Sequence, residues 1–443
     1  MGKRLLTILG ATVMAAAVLV TLRIPAASAA DPYAGYVLTY FGGEPYVQTL
    51  HIATSQDGLH WTTLNSNQGV LFATSGTRAV RDPYVIRKQD GTFTVMATQG
   101  WDTDSIYLWD SKDLVTFTGE RLVKVNNFSG RTWAPQAIWD PVANNYVVYW
   151  SSYAAGGGRN KTWYNTTTDF RTFSAPRLLF DPGFDEIDAD IRFTSGAFYL
   201  FFKSEVNRSI YLAKSASLTP GSFAMISPNP ISPPNVEGPT SFRSLTANRD
   251  YVYYDKLDAG GVFGLSTSTA IGAASSWTAV PASGFSLPTG VRHGTVFPAT
   301  QAEINWIKAA YTPFSLVSAS NGTSCLGVEP ASRDNGTDAS ASACTGAQSQ
   351  KWIASPQSEL KVYGNKCLEP KERGTAPGTL VHAWDCNGLP SQKWAFQLDG
   401  TIRGQGSGLC LDIRGGGIPA DGTPMILWGC AGQRNQRFTR TVS

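Results

Sequence analysis

Five short motifs recur through the first 300 residues at nearly constant spacing. They begin at residues 81, 133, 187, 237 and 292, so that consecutive copies lie 50 to 55 residues apart. Each motif precedes a run rich in Tyr, Phe and Val, which is typical of a strand. A strand-based repeat of this period is typical of propeller blades. We therefore predict a five-bladed β-propeller over residues 31–312, with the first strand, "GYVLTYF", closing the ring against the last blade. The alternative is a β-sandwich with similar hairpins.

A second, faster repeat occupies residues 313–443. Three units open with Cys-Leu at residues 325, 367 and 410, carry a second cysteine at 344, 386 and 430, and close with Gln-x-aromatic at 350, 392 and 436. Six cysteines allow 15 disulfide connectivities. The repeat favours the local pairs Cys325–Cys344, Cys367–Cys386 and Cys410–Cys430. Three such units predict a pseudo-threefold barrel, so the whole chain is predicted to be all-β.

The first 30 residues read as a secretory signal peptide. Lys3 and Arg4 precede an apolar run from Leu5 to Leu22, and the small residues around Ala29 offer a cleavage site. An uncleaved membrane anchor is the alternative. An even number of cysteines in an exported chain fits disulfide formation outside the cell. We therefore expect a secreted protein, with no membrane partner once the peptide is removed.

Charge and motif content exclude several classes of function. The net charge of +3 gives no electrostatic case for a nucleic-acid partner. The four histidines show no zinc-ligand spacing, and neither a phosphate-binding glycine loop nor a G-x-S-x-G elbow occurs. No cofactor is expected for the chemistry, and a monomer is expected.

The three C-terminal units resemble the ricin B-type lectin domain, a β-trefoil that binds sugars. The resemblance implies a complete site in the third unit, a weaker one in the second, where Ser391 replaces an Asn, and none in the first, where Gly327 and Ser342 replace the Asp and the aromatic residue. The implied carbohydrate-binding residues are Asp412, Trp428, Asn435 and Gln436 in the third unit and Glu369, Trp384 and Gln392 in the second. The alternative for the Gln residues is support of the trefoil core.

In a propeller, motifs at the same place in each blade meet around the axis. Three of the five bring a carboxylate: Asp82 in "RDPYVI", Asp188 in "IDADIRF" and Glu237 in "EGPTSF". Alone, each is better explained as a turn, cap or solvated residue. Together, converging carboxylates raise at least one pKa. Glycoside hydrolysis needs one carboxylic acid to protonate the leaving oxygen and one carboxylate to activate water.

Residues 35–300 resemble glycoside hydrolase family 43, whose members are inverting five-bladed propellers. The resemblance implies Asp82 as general base, Asp188 as the residue that tunes pKa, and Glu237 as general acid. It also implies a possible axial Ca²⁺ near His293. Gln136 departs from the family, which usually has an acidic residue after "WAP", and Asp190 could compete with Asp188 for its role.

Together, the motifs and the two resemblances predict a secreted, inverting exo-glycosidase that acts on plant cell-wall polysaccharide. An α-L-arabinofuranosidase is the first expectation, with β-xylosidase or exo-β-1,3-galactanase next; a non-catalytic polysaccharide-binding protein is the alternative from another class. The residues expected to bind substrate or line the pocket are Trp101, Trp133, Gln136, Arg292 and His293, with Tyr40 and Phe41 beside them.

Overall fold

The computed structural model describes residues 32–42, 48–128, 130–153, 156–259 and 262–442. The predicted signal peptide lies outside these residues. From Tyr33 onward the chain forms one compact unit. None of the helices in the described ranges is long and apolar enough to cross a membrane.

The strands of the first part alternate with tight turns. In chain order they are β1 (Tyr33–Gly42), β2 (Leu50–Ser55), β3 (Thr62–Thr63), β4 (Arg81–Arg87), β5 (Phe93–Thr98), β6 (Ser105–Ser111), β7 (Phe117–Lys124), β8 (Trp133–Asp140), β9 (Asn145–Ser152), β10 (Lys161–Thr167), β11 (Arg177–Phe180), β12 (Glu186–Thr194), β13 (Ala197–Ser204), β14 (Ser209–Ser215), β15 (Ala224–Met225), β16 (Val236–Arg243), β17 (Asp250–Lys256), β18 (Phe263–Ser268), β19 (Thr278–Ala279) and β20 (Val291–Thr300).

These strands form five antiparallel sheets of four strands each, which confirms the predicted propeller. Four sheets run β4–β7, β8–β11, β12–β15 and β16–β19 in sequence order. The fifth has the order β20-β1-β2-β3, with Tyr36 opposite Pro298. The first strand therefore closes the ring with the last, as expected. The innermost strands β4, β8, β12, β16 and β20 carry the five motifs.

The second strand of each blade is nearly all buried, without the strict alternation of a half-exposed strand. In β13, for example, every residue of "AFYLFFKS" is buried. The reason is that each sheet packs against a neighbouring blade on both faces, so neither face meets water. Aromatic side chains such as Trp150, Tyr149 and Phe201 fill these spaces between the blades.

A single α-helix, α1 (Gln301–Ala310), follows the last propeller strand in the described chain. Thr300 caps it, accepting a hydrogen bond from the Glu303 backbone, while the Glu303 side chain bonds back to Thr300. Ile304 and Ile307 are buried against the propeller, and Arg87 pairs with Glu303. The sequence predicts no helix here, because ten residues carry only a short apolar stripe.

The last part of the chain is a β-trefoil. Its strands are β21 (Phe314–Ser318), β22 (Ser324–Val328), β23 (Thr337–Ala343), β24 (Ile353–Ala354), β25 (Leu360–Val362), β26 (Lys366–Pro370), β27 (Val381–Asp385), β28 (Trp394–Phe396), β29 (Ile402–Gly404), β30 (Cys410–Ile413), β31 (Thr423–Trp428) and β32 (Phe438–Val442). The three disulfides join Cys325 to Cys344, Cys367 to Cys386 and Cys410 to Cys430, which confirms the local pairing.

Candidate active site

Each of the five innermost strands has a β-bulge at the predicted motif. The pairing register slips at the motif in each strand, which leaves an extra residue there on the innermost strand. A bulge re-aims side chains and is common beside active sites. The five bulges define an inner ring of residues, which are Asp82, Ala134, Asp188, Gly238 and His293. The residue before each forms an outer ring, which is Arg81, Trp133, Ile187, Glu237 and Arg292.

The inner ring has a left-handed backbone in four blades. The φ angles are 47° at Asp82, 46° at Ala134, 58° at Asp188 and 59° at Gly238. Left-handed backbone is costly for residues other than glycine and persists only where neighbours fix it. Here neighbouring blades supply the partners: the Ala134 N–H donates to Thr98 Oγ1 (2.8 Å) and the Asp188 N–H to Ser151 Oγ (3.0 Å).

Two inner-ring positions are small, and the other three carry titratable side chains. A Cβ atom at Gly238 would lie 2.7 Å from His293 Cγ, so only glycine fits beside this imidazole. The Gly238 N–H donates instead to Asp188 Oδ2 (3.0 Å). His293 Nδ1 lies 3.4 Å from Asp82 Oδ1. Asp82, Asp188 and His293 thus meet at the base of one pocket.

All five outer-ring residues line that pocket, which has a volume of about 200 Å³. Glu237 is the outer-ring carboxylate, and two cations contact it. Lys203 Nζ donates to Glu237 Oε2 (3.2 Å) and Arg292 Nη2 to Glu237 Oε1 (3.3 Å). The structure therefore brings Asp82, Asp188 and Glu237 together in one cavity, as the sequence predicted.

Three further charged residues line or support the pocket, and the sequence reading missed them. Lys203 also donates to Glu205 Oε2 (3.0 Å), while Arg292 Nε donates to Asp255 Oδ2 (2.8 Å). Lys203 and Asp255 are nearly fully buried. The sequence carries a signal for Lys203 and Asp255. Each is the charged residue that ends a run of aromatic and aliphatic residues, "FYLFFK" for Lys203 and "YVYYD" for Asp255.

Asp82 and His293 form a charged pair. Burial alone would raise the pKa of Asp82, but its hydrogen bond with His293 and the charges of His293 and Arg81 hold that pKa below its usual value. Burial alone would lower the pKa of His293, but the Asp82 hydrogen bond and the carboxylates around it raise that pKa to about 9. At neutral pH Asp82 is ionised and His293 carries a proton.

Asp188 has the opposite character to Asp82. Burial raises the pKa of Asp188 to about 7, and the negative charges of Glu237 and Asp82 add to this, while His293 and Lys203 oppose it. The pKa values of two carboxyl groups in one pocket are therefore shifted in opposite directions. Environments that push the pKa values of neighbouring titratable groups apart are typical of acid–base sites.

The predicted aromatic lining is correct for two residues and wrong for two. Trp101 and Trp133 line the pocket and meet edge to face at 5.6 Å. Tyr40 and Phe41 are buried outside the lining. Phe41 lies beneath the guanidinium groups of the outer ring, 4.9 Å from Arg81 and 5.3 Å from Arg292. Its role is to support these cations rather than to contact substrate.

Gln136 does not line the pocket, which removes the basis for its predicted contact with substrate. It is 2% exposed and lies below the inner ring. Its amide is 3.0 Å from the Tyr149 hydroxyl and, with the nitrogen facing them, 3.3 Å from Ala189 O and 3.1 Å from Asp190 Oδ1. Asp190 is buried in the same layer and accepts the Ser241 N–H (2.8 Å), so it does not take the place of Asp188.

The residues around His293 do not fit the expected Ca²⁺. Calcium takes six to eight oxygen ligands, and among the described residues no three His, Cys, Asp or Glu side chains are grouped to hold a metal. The imidazolium itself places a positive charge between the inner-ring carboxylates.

In the trefoil, the carboxylates of the second and third units are held in the same way. Asp412 accepts from Asn435 Nδ2 (2.9 Å) and Gln436 Nε2 (2.8 Å). Glu369 accepts from Ser391 Oγ (2.6 Å) and Gln392 Nε2 (3.0 Å). Ser391 therefore replaces the missing Asn as a hydrogen-bond donor.

The Gln amides are fully used within the protein. Gln436 Oε1 accepts the Ala431 N–H and its nitrogen also donates to Gly429 O. Gln392 and Gln436 are at most 1% exposed. Their amides hold Glu369 and Asp412 in place and are buried in the trefoil, which fits the alternative of a supporting role, whereas Trp384, stacked on His382, and Trp428 are exposed.

Two family models match this chain. One, of a glycosyl hydrolase 43-related group described as a probable glycosyl hydrolase domain, matches residues 31–305. The chain belongs to this family. The other, the ricin-type beta-trefoil lectin domain, matches residues 312–441.

An alpha-L-arabinofuranosidase of Bifidobacterium longum subsp. longum is 27% identical across 37% of this chain, and the match spans only 19% of that protein's length. Among solved structures, the exo-beta-1,3-galactanase of Clostridium thermocellum aligns at 16% identity with a TM-score of 0.36, covering 82% of this chain and 96% of that one. The C-half of the earthworm R-type lectin aligns at 18% identity with a TM-score of 0.26, covering 30% of this chain and 99% of that one. The site assignments rest on this chain's own geometry.

Proposed function

We propose that this protein is a secreted exo-glycosidase that removes a terminal sugar from plant cell-wall polysaccharide with inversion at the anomeric carbon. The observation that carries the proposal is the meeting of the three predicted carboxyl groups in one small pocket, where the pKa of Asp82 is held below its usual value and the pKa of Asp188 is raised to about 7. A volume of about 200 Å³ lies below the range of pockets for drug-sized ligands and favours one terminal sugar residue.

The proposed mechanism uses the two rings differently. Glu237, in the outer ring and in contact with the cavity, donates a proton to the oxygen of the leaving group. Asp82, held as a carboxylate by His293, removes a proton from a water that attacks the anomeric carbon from the opposite side. The Asp188 carboxylate accepts the Gly238 N–H and so helps to hold the bulge next to Glu237 in place. One bond to carbon breaks as the other forms; one proton passes from Glu237 to the leaving oxygen and one from water to Asp82, and proton exchange with solvent returns both groups to their starting states before the next turnover.

Among substrates, an α-L-arabinofuranoside is the first to test, because the curated relative that matches part of the propeller is named an alpha-L-arabinofuranosidase. β-Xylosides and β-1,3-galactans follow. The departure from the family pattern at Gln136 is the one sequence feature that favours the non-catalytic alternative, and Gln136 lies outside the pocket lining. Secretion is supported by the three disulfides, which persist in oxidising compartments.

The proposal is tested with nitrophenyl glycosides of the three sugars and with arabinan, xylan and arabinogalactan. We expect Asp82→Asn to lose at least about a hundredfold in kcat, because general base catalysis contributes that much. Glu237→Gln should lose as much on the polymers and less on nitrophenyl glycosides, whose leaving group needs little protonation. Asp90→Asn, at an exposed loop carboxylate, is the matched control.

Inversion at the anomeric carbon is tested separately by proton NMR, which identifies the anomer of the first product formed. The inverted anomer is expected. A retained anomer would overturn the roles of Asp82 and Glu237, and no sugar release from any substrate would overturn the enzymatic proposal as a whole.

A further inference from the structure

A groove with a volume of about 990 Å³ separates the propeller from the trefoil. Its propeller wall is formed by the segment that leads into β4 and by the turn before β7, and its trefoil wall by the second unit around Asp385 and Gly388. The site described above uses none of these residues. The groove is nearly five times as large as the catalytic pocket, so it has room for several sugar residues.

The groove and the catalytic pocket are neighbours along one piece of chain. Arg78 and Ala79 line the groove, and Arg81, two residues later, lines the pocket. Thr77 also lines the groove, and its hydroxyl donates to Gln99 O (2.8 Å) directly before the pocket residues Gly100 and Trp101. The residues on either side of Val80 therefore line the two cavities, which places one end of the groove next to the pocket.

The width of the groove is fixed by direct contacts between the two domains. A Cβ atom at Gly364 would lie 2.3 Å from the carbonyl oxygen of Gly69, so the two backbones touch. Gln357 Nε2 donates to Thr116 Oγ1 (3.0 Å) across the same side. These contacts make the groove a formed site that does not need domain closure.

The lining points to a neutral polar ligand. Its charged residues are Arg78 and Lys361 on the basic side and Glu120, Glu359 and Asp385 on the acidic side. This balance gives a polyanion no advantage. Hydroxyl and amide groups such as those of Thr116, Thr118 and Asn365 fill the rest of the polar lining, and such groups match sugar hydroxyls.

Arg78 is the group best placed to bind such a ligand. Its backbone is left-handed (φ 62°), and its N–H is fixed by the Tyr107 hydroxyl (2.9 Å). Its side chain is exposed and makes no hydrogen bond to the described residues. It faces Asp385 across the groove, close enough for their charges to interact. The Arg78 guanidinium is therefore available to donate hydrogen bonds to a ligand in the groove.

We propose that this groove binds the neutral polysaccharide chain that follows the sugar held in the catalytic pocket. The groove makes the trefoil part of the substrate path, in addition to any sugar bound by its individual units. The proposal rests on the proposed function for the sugar in the pocket, but the binding of an oligosaccharide in the groove is a separate event.

The test uses the full-length chain and hexasaccharides of arabinose, xylose and β-1,3-linked galactose. For each variant, kcat/KM on the hexasaccharide is divided by kcat/KM on the matching nitrophenyl glycoside. Arg78→Asn, which tolerates the left-handed backbone, should lower this ratio about tenfold, since a hydrogen bond to a charged group is lost. Ala79→Trp, which narrows the groove at the end next to Arg81, should lower it at least as much.

Arg208→Asn is the matched control. Arg208 is also exposed and left-handed (φ 53°), but it lies in the turn between β13 and β14, outside the groove. Its ratio should equal that of the wild type. A ratio unchanged in Arg78→Asn and Ala79→Trp, or lowered equally in Arg208→Asn, would overturn the proposal.

Binding separates this proposal from the proposed function. Calorimetry with the Glu237→Gln variant, carrying Trp384→Ala and Trp428→Ala to remove the trefoil sites, should show tighter binding of a hexasaccharide than of a disaccharide, and Ala79→Trp should abolish the difference. Length-dependent binding without any hydrolysis by the wild type would overturn only the proposed function. Hydrolysis without length-dependent binding would overturn only the groove.

Discussion

At the scale of single residues, the pocket depends on a size difference within the inner ring. Asp82, Asp188 and His293 can share one level around the axis because the other two positions are Ala134 and Gly238. The Gly238 position has room for backbone only, since the imidazole lies where its side chain would be. The contact between Asp82 and His293 therefore depends on a residue that carries no chemistry itself.

We expect Gly238→Ala to displace His293 and to lower the free energy of unfolding by about 2–4 kcal/mol, through left-handed strain plus overpacking. Activity should fall sharply because Asp82 loses its charged partner. Thermal unfolding and kcat measure the two effects.

Gly196→Ala is the control for strain alone. Gly196 has a similar φ of 75°, but an added Cβ atom there meets nothing within 4 Å. It should cost about 1 kcal/mol and leave kcat unchanged. If the two variants behaved alike, the Gly238–His293 contact would have no part in positioning Asp82.

The sequence could place the carboxylates of the inner and outer rings but not the rest of the pocket. The blade period puts Asp82, Asp188 and Glu237 at equivalent levels, and that register alone brings them together. Lys203 and Asp255 come from the second strands, where burial between blades hides any periodic signal. The bulge in each inner strand decides whether a neighbouring side chain points into the pocket or below it. The sequence does not show the bulge, so the predicted substrate contact of Gln136 is wrong.

At the scale of elements, β12 begins with a carboxyl group that folding leaves without a counter-ion. Glu186 is fully buried, and its only described side-chain partner is the Thr162 hydroxyl, which donates to Oε1 (2.8 Å). Burial raises the pKa of Glu186 from 4.5 to about 8, with the charge of Asp188 adding to the shift and the Thr162 hydrogen bond opposing it. The folded strand therefore favours the protonated form.

A carboxyl group with a raised pKa in the folded state contributes its full stability below pH 4.5 and loses it as the pH rises to about 8. Glu186→Gln, a neutral isostere, should escape this loss. We expect its unfolding free energy to exceed that of the wild type by an amount that grows from near zero at pH 4.5 to at most about 4 kcal/mol at pH 8.

Urea unfolding at several pH values measures this difference. Glu372→Gln, at an exposed turn of the trefoil, should follow the wild type at every pH. A difference for Glu186→Gln that did not change with pH would show that Glu186 is ionised in the folded strand.

The elements themselves were largely predictable, because Tyr, Phe and Val runs separated by turns recur five times. The exception is α1. Its apolar face consists mainly of Ile304 and Ile307, and its start is marked by the capping box of Thr300 and Glu303. A helix of ten residues with two buried side chains is stabilised mostly by the propeller it packs against, and that surface cannot be read from local sequence.

At the scale of the whole molecule, the trefoil is expected to hold the enzyme on an insoluble polymer. Trp428 is 49% exposed at the end of β31, on the same face as Asp412. We expect Trp428→Ala to weaken retention on insoluble polysaccharide about tenfold, because exposed aromatic residues dominate such contacts. A pull-down with arabinan, xylan and arabinogalactan measures it.

Trp306 on α1 provides a matched control, since it is 48% exposed and lies outside the trefoil. Trp306→Ala should be retained like the wild type. Equal losses in both variants would mean that any exposed Trp supports retention, and that the third unit has no sugar site. Trp384→Ala should have a smaller effect if the second unit binds weakly.

The pairing of β1 with β20 also sets the order in which the protein can fold. Tyr36 meets Pro298 only after nearly the whole propeller has been synthesised, and long-range pairing of this kind is slow to form. Asp82 lies in β4, in the blade that follows the β20-β1-β2-β3 sheet, and His293 lies in β20, the last strand of the propeller. Their charged pair therefore forms only when the ring closes. A chain interrupted before residue 291 would carry Asp82 without its partner. Closure of the propeller ring is thus also the step that brings Asp82 and His293 together.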